Sequence, residues 1–276
     1  LNGHKNNILI KEKTVIELFA GDDSEYRRIL GHNFRSNLPK RKLQPYEAGA
    51  AYHDSIFSGR VNERLRILED RNSNYALYGG RKIGKTWFLK DICKWATDAP
   101  FSSYYFAVYV SLQGVENLAE AAELIIEAVD HNLSQKSKSV TNPLSQLRST
   151  LLNAHKVTKK TVLIALDEVD DILKIQNCYD LFSKLRQLQH TYPDSFKFVF
   201  AGFKELMHAF RDIKTNNPFA NWVGTNHFAL GGLNEEDLYS LIIRPFLWLG
   251  FEFKEARILS TVYELTSGHP YYTQLL

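Results

Sequence analysis

Apolar residues fall along this chain in two alternating rhythms. Short unbroken runs rich in aromatic and β-branched residues recur at Tyr75–Tyr78, Tyr104–Val110, Thr161–Leu166, Phe196–Ala201 and near His227–Leu230. Between them apolar positions return every three or four residues, as at Phe88, Leu89, Ile92, Cys93 and Ala96. An unbroken apolar run fits a strand covered on both faces, whereas the longer spacing gives one buried face of a helix. The spacing predicts helices over Phe57–Leu68, Leu118–Leu133, Pro143 to about Ala154, Tyr179–His190 and Lys204 to about Ile213. In the first, Leu65 and Leu68 face inward and the charges outward. Strands alternating with helices specify a parallel sheet with helices on both faces, where ligands bind at the carboxyl ends of the strands.

The same pattern divides the chain. Residues 1–50 mix asparagines and lysines with short apolar patches, Val15–Phe19 and Tyr26–Leu30, and read as a helical or linker segment. Pro39-Lys40-Arg41-Lys42 within it is a nucleic-acid contact, a localisation signal or, as short charge runs usually are, a solvated linker. Residues 51–232 carry the alternating core. Residues 233–276 show helical spacing without strands and are expected to form a small helical lid, cut short where the chain stops inside a helical pattern.

Composition narrows the class. Hydrophobic residues at 44% and charged residues at 24% are ordinary globular values. A formal charge of +3 creates no strong field for a polyanion. The two cysteines, Cys93 and Cys178, lack metal-ligand spacing and read as small core residues in a reducing compartment. No apolar run approaches the ~20 residues of a membrane span, and no signal-peptide pattern is visible. No membrane role and a cytoplasmic location are expected.

Chemistry concentrates after the first strand. Gly79-Gly80-Arg81-Lys82-Ile83-Gly84-Lys85-Thr86 fits G-x-x-x-x-G-K-[ST] and runs into a helix at Trp87. Glycines let consecutive N–H groups turn inward around a phosphate, and the following helix adds its positive end. Lys85 is placed to reach the β- and γ-phosphates, and the Thr86 hydroxyl can ligate Mg²⁺. A chance match in a chain of this size has odds on the order of one in a hundred, and the strand before and helix after lower them further. The chain is therefore expected to bind a nucleoside triphosphate with Mg²⁺. Its expected fold is α/β: a P-loop NTPase core with a parallel five-stranded sheet flanked by helices, plus the C-terminal helical lid.

The apolar strand 161–166 ends in Asp167-Glu168. Asp167 can hold magnesium directly or through water, and Glu168 can act as general base toward a water facing the γ-phosphate. The alternative is that the pair merely caps the next helix. Asp170 and Asp171 read as a solvated helix start.

With these motifs in order, the chain resembles the STAND-type P-loop ATPases related to AAA+ proteins, in their prokaryotic, archaeal-ATPase-like branch. The resemblance spans roughly Phe57–Leu276. It rests on Phe57-Ser58-Gly59-Arg60, the phosphate loop, Leu166-Asp167-Glu168-Val169-Asp170, Phe200-Ala201-Gly202-Phe203, Leu230-Gly231-Gly232-Leu233 and Ser267-Gly268-His269-Pro270. It implies that the segment with Arg60 folds over the adenine, and that His269 and Pro270 contact nucleotide and report its state to the lid. A plain turn between two lid helices is the open alternative for the last motif. Two departures stand out. Where relatives carry a polar residue at the fourth strand's end, this chain has Ala201-Gly202-Phe203, with Lys204 the nearest polar substitute. The arginine expected after an Asn-Pro-Phe sequence is missing, since Ala220-Asn221 follows Asn217-Pro218-Phe219; Arg211 and Arg244 are remote replacements.

The resemblance implies ATP or ADP as the nucleotide and an ATP-dependent switch with low hydrolysis, coupling nucleotide state to lid movement and to assembly with itself or a partner protein, in defence or regulation. A DNA-handling ATPase of the initiator or transposition-loader kind is the main rival, although nucleic acid is not indicated by charge. A non-hydrolysing nucleotide-bound scaffold is the third reading, and a small-molecule kinase the weakest.

Overall fold

The computed structural model describes residues 57–135, 142–211, 217, 221–248 and 256–276. The segment expected over 1–50, with its Pro39–Lys42 cluster, lies outside the described residues.

Five strands, β1 (Tyr75–Tyr78), β2 (Tyr105–Ser111), β3 (Thr161–Asp167), β4 (Phe196–Gly202) and β5 (His227–Ala229), form one sheet in the order β2-β3-β4-β1-β5. Every pairing is parallel, as the apolar runs predict. Sequence order hides one feature: β4 lies between β1 and β3, with Gly202 opposite Tyr78 and Phe200 opposite Leu166.

Side chains alternate across each strand and fill two layers. Val162, Ile164, Leu166, Phe198 and Phe200 pack on one face against α3 (Leu118–Asn132), α4 (Pro143–Thr158) and α6 (Tyr179–Thr191). Leu163, Ala165, Val199 and Leu77 pack on the other against α1 (Val61–Glu69) and α2 (Lys85–Thr97). Short α5 (Val169–Leu173) follows β3, and α7 (Lys204–Arg211) follows β4. The helix α1 starts four residues later than its spacing predicts. Gly59 and Arg60 both take left-handed backbone angles, φ 79° and 61°, which a helix cannot include. Nor do all its charges face outward: Arg64 is buried, paired with Asp91 on α2, and stacked over Trp95 at 3.8 Å.

Among the described residues, three helices follow β5: α8 (Glu235–Trp248), α9 (Ala256–Thr266) and α10 (Pro270–Leu275). They share a small core of Leu233, Leu238, Leu241, Ile242 and Leu259. Their two ends are tied backbone to backbone. The Leu233 N–H donates to the Gly268 carbonyl at 2.7 Å. A Cβ on Gly268 would stand 2.0 Å from the Leu233 carbonyl oxygen, and one on Gly232 would stand 2.3 Å from that of Ser267. Only glycine permits this approach.

Candidate nucleotide site

The carboxyl ends of the strands open into a cleft of about 800 Å³. Its floor is the loop between β1 and α2, and one wall is the β3 and β4 ends. The other wall comes from α8 and α10, with the 57–60 segment at the rim.

The loop has the shape its composition predicts. Lys82 and Gly84 take left-handed angles, φ 62° and 98°, turning the chain around an open centre. A Cβ built on Gly80 or Gly84 would meet nothing within 4 Å, so the space above the loop is clear. The amides of Arg81–Thr86 donate to no described backbone carbonyl, which leaves them for an anion. Gly79 is glycine for another reason: its Cβ would stand 2.7 Å from the Leu230 carbonyl oxygen. Ile83 is buried and anchors the loop in the core, while Thr86 and Trp87 line the cleft. The Lys85 ammonium folds back onto the loop, donating to the Gly79 and Gly80 carbonyls at 2.8 and 3.0 Å. Burial pushes its pKa below the ordinary lysine value, opposed by the negative charge of Glu168 and Asp167.

Across β4 stand the acids. Asp167 is 1% exposed. One of its oxygens accepts from the Tyr109 hydroxyl at 3.0 Å and the other from the Glu168 N–H at 3.0 Å. Tyr109 was not singled out in the sequence. The signal was its place two residues before the end of β2, which pairs with β3 in register, Ser111 opposite Asp167. Glu168 takes a left-handed angle, φ 54°, and lines the cleft. Burial, then the charge of Asp167, raises its pKa, while Lys85 acts the other way. Among the described residues its carboxylate has no hydrogen-bond partner.

Asp170 and Asp171 do start α5, as expected, but their carboxylates are held by neighbouring groups rather than left to solvent. Asp170 is buried and accepts the N–H groups of Phe203 and of Glu205, the latter at 2.7 Å. Asp171 accepts the Gly114 N–H at 3.0 Å and the Lys174 ammonium at 2.8 Å. The run of acids looked solvated because the sequence gives no sign that two neighbouring loops bring amides to it.

At the rim, Arg60 lines the cleft but spends its guanidinium on the Gly231 carbonyl and on Glu63, at 3.5 Å. Ser58 Oγ donates to the Asp237 carbonyl at 3.0 Å, so this segment is fastened to the start of α8. Pro270 lines the cleft; His269 does not, its ring packing against Tyr272 at 4.6 Å. Burial lowers the His269 pKa, and the Arg81 backbone beside it acts the other way. The Lys82 ammonium sits 3.8 Å from the Tyr271 ring centroid. Exposed Lys204 also lines the cleft, whereas Arg211 and Arg244 lie outside it.

Among the described residues no group of three or more His, Cys, Asp or Glu could hold a metal by itself. The donor set does fit Mg²⁺, which binds through one or two protein oxygens, phosphate oxygens and retained waters. Of the two oxygens expected from the sequence, Thr86 lines the cleft, whereas Asp167 lies behind its wall with both oxygens held by Tyr109 and the Glu168 N–H. No described helix is long and apolar enough to cross a membrane.

A family model described as an AAA domain matches residues 68–210, just over half of the chain. No curated protein matches the sequence. Solved structures share the fold. The ORC2 protein of Aeropyrum pernix, in ADPNP-ADP complexes, superposes with a TM-score of 0.62 at 16% identity, over 85% of this chain and 63% of that one. The Walker-type ATPase of Pyrococcus abyssi gives 0.60 at 12%, over 83% and 69%. The ORC1 protein of Aeropyrum pernix in complex with DNA gives 0.54 at 15%, over 85% and 61%. The chain thus spans about three-fifths of the length of the two Aeropyrum proteins.

Proposed function

Because this chain belongs to the AAA domain family, we propose that it is an ATP-binding, slowly ATP-hydrolysing switch of the STAND type. Nucleotide state at the phosphate loop sets the position of the C-terminal helices, which act as a lid, and through them governs assembly with further copies or a partner protein in the cytoplasm. One observation carries this reading: the loop's own side chain, Lys82, rests on Tyr271 of α10. A change at the loop is therefore felt by the lid without an intermediary.

The geometry supports a role for each residue. The Lys85 ammonium exchanges the Gly79 and Gly80 carbonyls for phosphate oxygens, and the open amides of the loop donate to the remaining phosphate oxygens. Thr86 and, directly or through water, Asp167 would hold Mg²⁺, which would neutralise phosphate charge. Tyr109 fixes the orientation of Asp167. The unpartnered Glu168 carboxylate takes the proton of a water on the β3 side of the cleft, and its raised pKa makes it a better acceptor. Slow turnover follows from the missing arginine, a group worth about 10³–10⁵ in rate where present.

A DNA-associated ATPase is favoured by a separate observation, the fold shared with the ORC1 protein in complex with DNA. The formal charge of +3 weighs against it for this stretch of chain. Turnover of ATP by the purified protein with Mg²⁺, with bound nucleotide identified by chromatography and duplex binding followed by fluorescence anisotropy, tests both. Hydrolysis without salt-dependent DNA binding supports the switch. Absence of bound nucleotide and of turnover ends it.

A further inference from the structure

Of the four acids that follow the apolar stretch of β3, three are committed. Asp167 is held by Tyr109 and the Glu168 amide, Asp170 by the β4–α7 turn, and Asp171 by Gly114 and Lys174. The Glu168 carboxylate has no such hold, and its backbone takes a left-handed angle, φ 54°, uncommon for a residue with a side chain. Two residues on, Asp170 ties the same turn to the end of β4. Asp170 is 7% exposed, and each of its oxygens takes one N–H from the residues on either side of Lys204. The site is built around that carboxylate. A Cβ on Gly202 would fall 2.3 Å from the Asp170 Oδ2 and 2.9 Å from the Leu206 Cβ, so β4 ends in the residue that leaves room.

We propose that Asp170 is a positioning residue, clasping the end of β4 so that the Glu168 turn is held at its working place in the cleft. The proposal rests on the reading of Glu168 as the base. Because β4 stands between β1 and β3, the clasp fixes Glu168 relative to the strand next to the phosphate loop. Removing it frees both the Glu168 turn and the Phe203–Glu205 turn, while the phosphate loop loses no hydrogen bond and only the influence of the Asp170 charge on Lys85.

The test compares wild type, Asp170→Asn, Asp170→Ala, Glu168→Gln and the Glu168→Gln/Asp170→Ala double variant, with ATP and Mg²⁺. Single-turnover hydrolysis, nucleotide Kd and hydrogen exchange of peptides covering 167–173 and 203–206 are measured. Asp170→Ala is expected to bind nucleotide within about threefold of wild type and to hydrolyse about 10²-fold more slowly, the scale for a misplaced catalytic group. Asp170→Asn, which keeps one acceptor oxygen, falls between. In the Glu168→Gln background the second change costs nothing further, as expected when two residues act through one. Exchange rises across 167–173. Wild-type turnover in folded Asp170→Ala, full additivity with Glu168→Gln, or unchanged exchange across 167–173 overturns the proposal. A wild type that binds nucleotide without hydrolysing it, together with faster exchange in Asp170→Ala, bears out the clasp and removes the hydrolysis reading instead.

Discussion

The Lys82 ammonium lies 3.8 Å from the centroid of the Tyr271 ring. A cation over a partly exposed aromatic face contributes about 0.5–1 kcal/mol, and this one joins the β1–α2 loop to α10. Tyr271→Ala is expected to shift nucleotide Kd by only about two- to fivefold. It should also erase the nucleotide-dependent protection of α9 and α10 in limited proteolysis, and Tyr271→Phe should keep it. Equal protection in Tyr271→Ala and wild type would detach the lid from the loop.

Lys85 and Glu168 are expected to separate binding from chemistry. Lys85→Ala removes the cation that the loop presents, so stabilisation by saturating nucleotide, about 2.7 kcal/mol at a hundred times Kd in the wild type, should vanish from thermal melts. Glu168→Gln should keep that stabilisation and lower turnover by about 10²–10⁴-fold. Chromatography would then find triphosphate in Glu168→Gln where the wild type holds diphosphate.

Gly268 faces the Leu233 backbone with no room for a side chain, and its φ is 73°. Gly268→Ala is expected to destabilise the C-terminal helices by about 1–3 kcal/mol, as overpacking does. The strand core, which does not touch Gly268, should keep its amide protection. Hydrogen exchange reads the two regions separately, and loss of protection spread evenly over both would contradict the local account.

Lys197 in β4 is wholly buried, its ammonium donating to the Asp70 carbonyl at 2.5 Å and to that of Ser73. Burial lowers its pKa to about 8, opposed by Asp70. Here the folded-state value lies below the unfolded one, so between pH 8 and about 10.5 the unfolded chain binds more protons and stability rises with pH. The penalty is fully present below pH 8. From pH 8 to 9.5 the gain is about 2 kcal/mol. Cys93, raised to about 12 by burial, acts oppositely above pH 9, and Tyr75 and Tyr105, also raised to about 12, above pH 10, so the rise is steepest between pH 8 and 9. Urea midpoints at pH 7.5 and 9.5 check the rise, and Lys197→Met should flatten it.

The sheet, the order of strands and helices, and the phosphate loop were legible because each depends on local pattern: apolar runs, helical spacing and glycines at fixed offsets. What escaped depends on contacts between distant segments. Nothing around Arg64 foretells Asp91, and a helix face read from spacing alone turned that arginine outward. Asp170 looked solvated because its partners, the amides at 203 and 205, lie thirty-odd residues away and carry no side-chain signature. The late start of α1 was equally silent, since the left-handed angles at Gly59 and Arg60 serve the contact with Asp237. Arg60 and His269 have partners among neighbouring protein atoms, Gly231, Glu63 and Tyr272, which only the assembled fold reveals.

Placing β4 between the loop strand and the acid strand gives the cleft a fixed gauge. Neighbouring strands in a sheet stand about 4.8 Å apart, so the ends of β1 and β3 are held two such steps, roughly 10 Å, from one another. Hydrogen bonds along three strands would have to break before that span could widen. Any breathing of the site must therefore come from its rim of helices, and the floor serves as an anvil against which the rim moves.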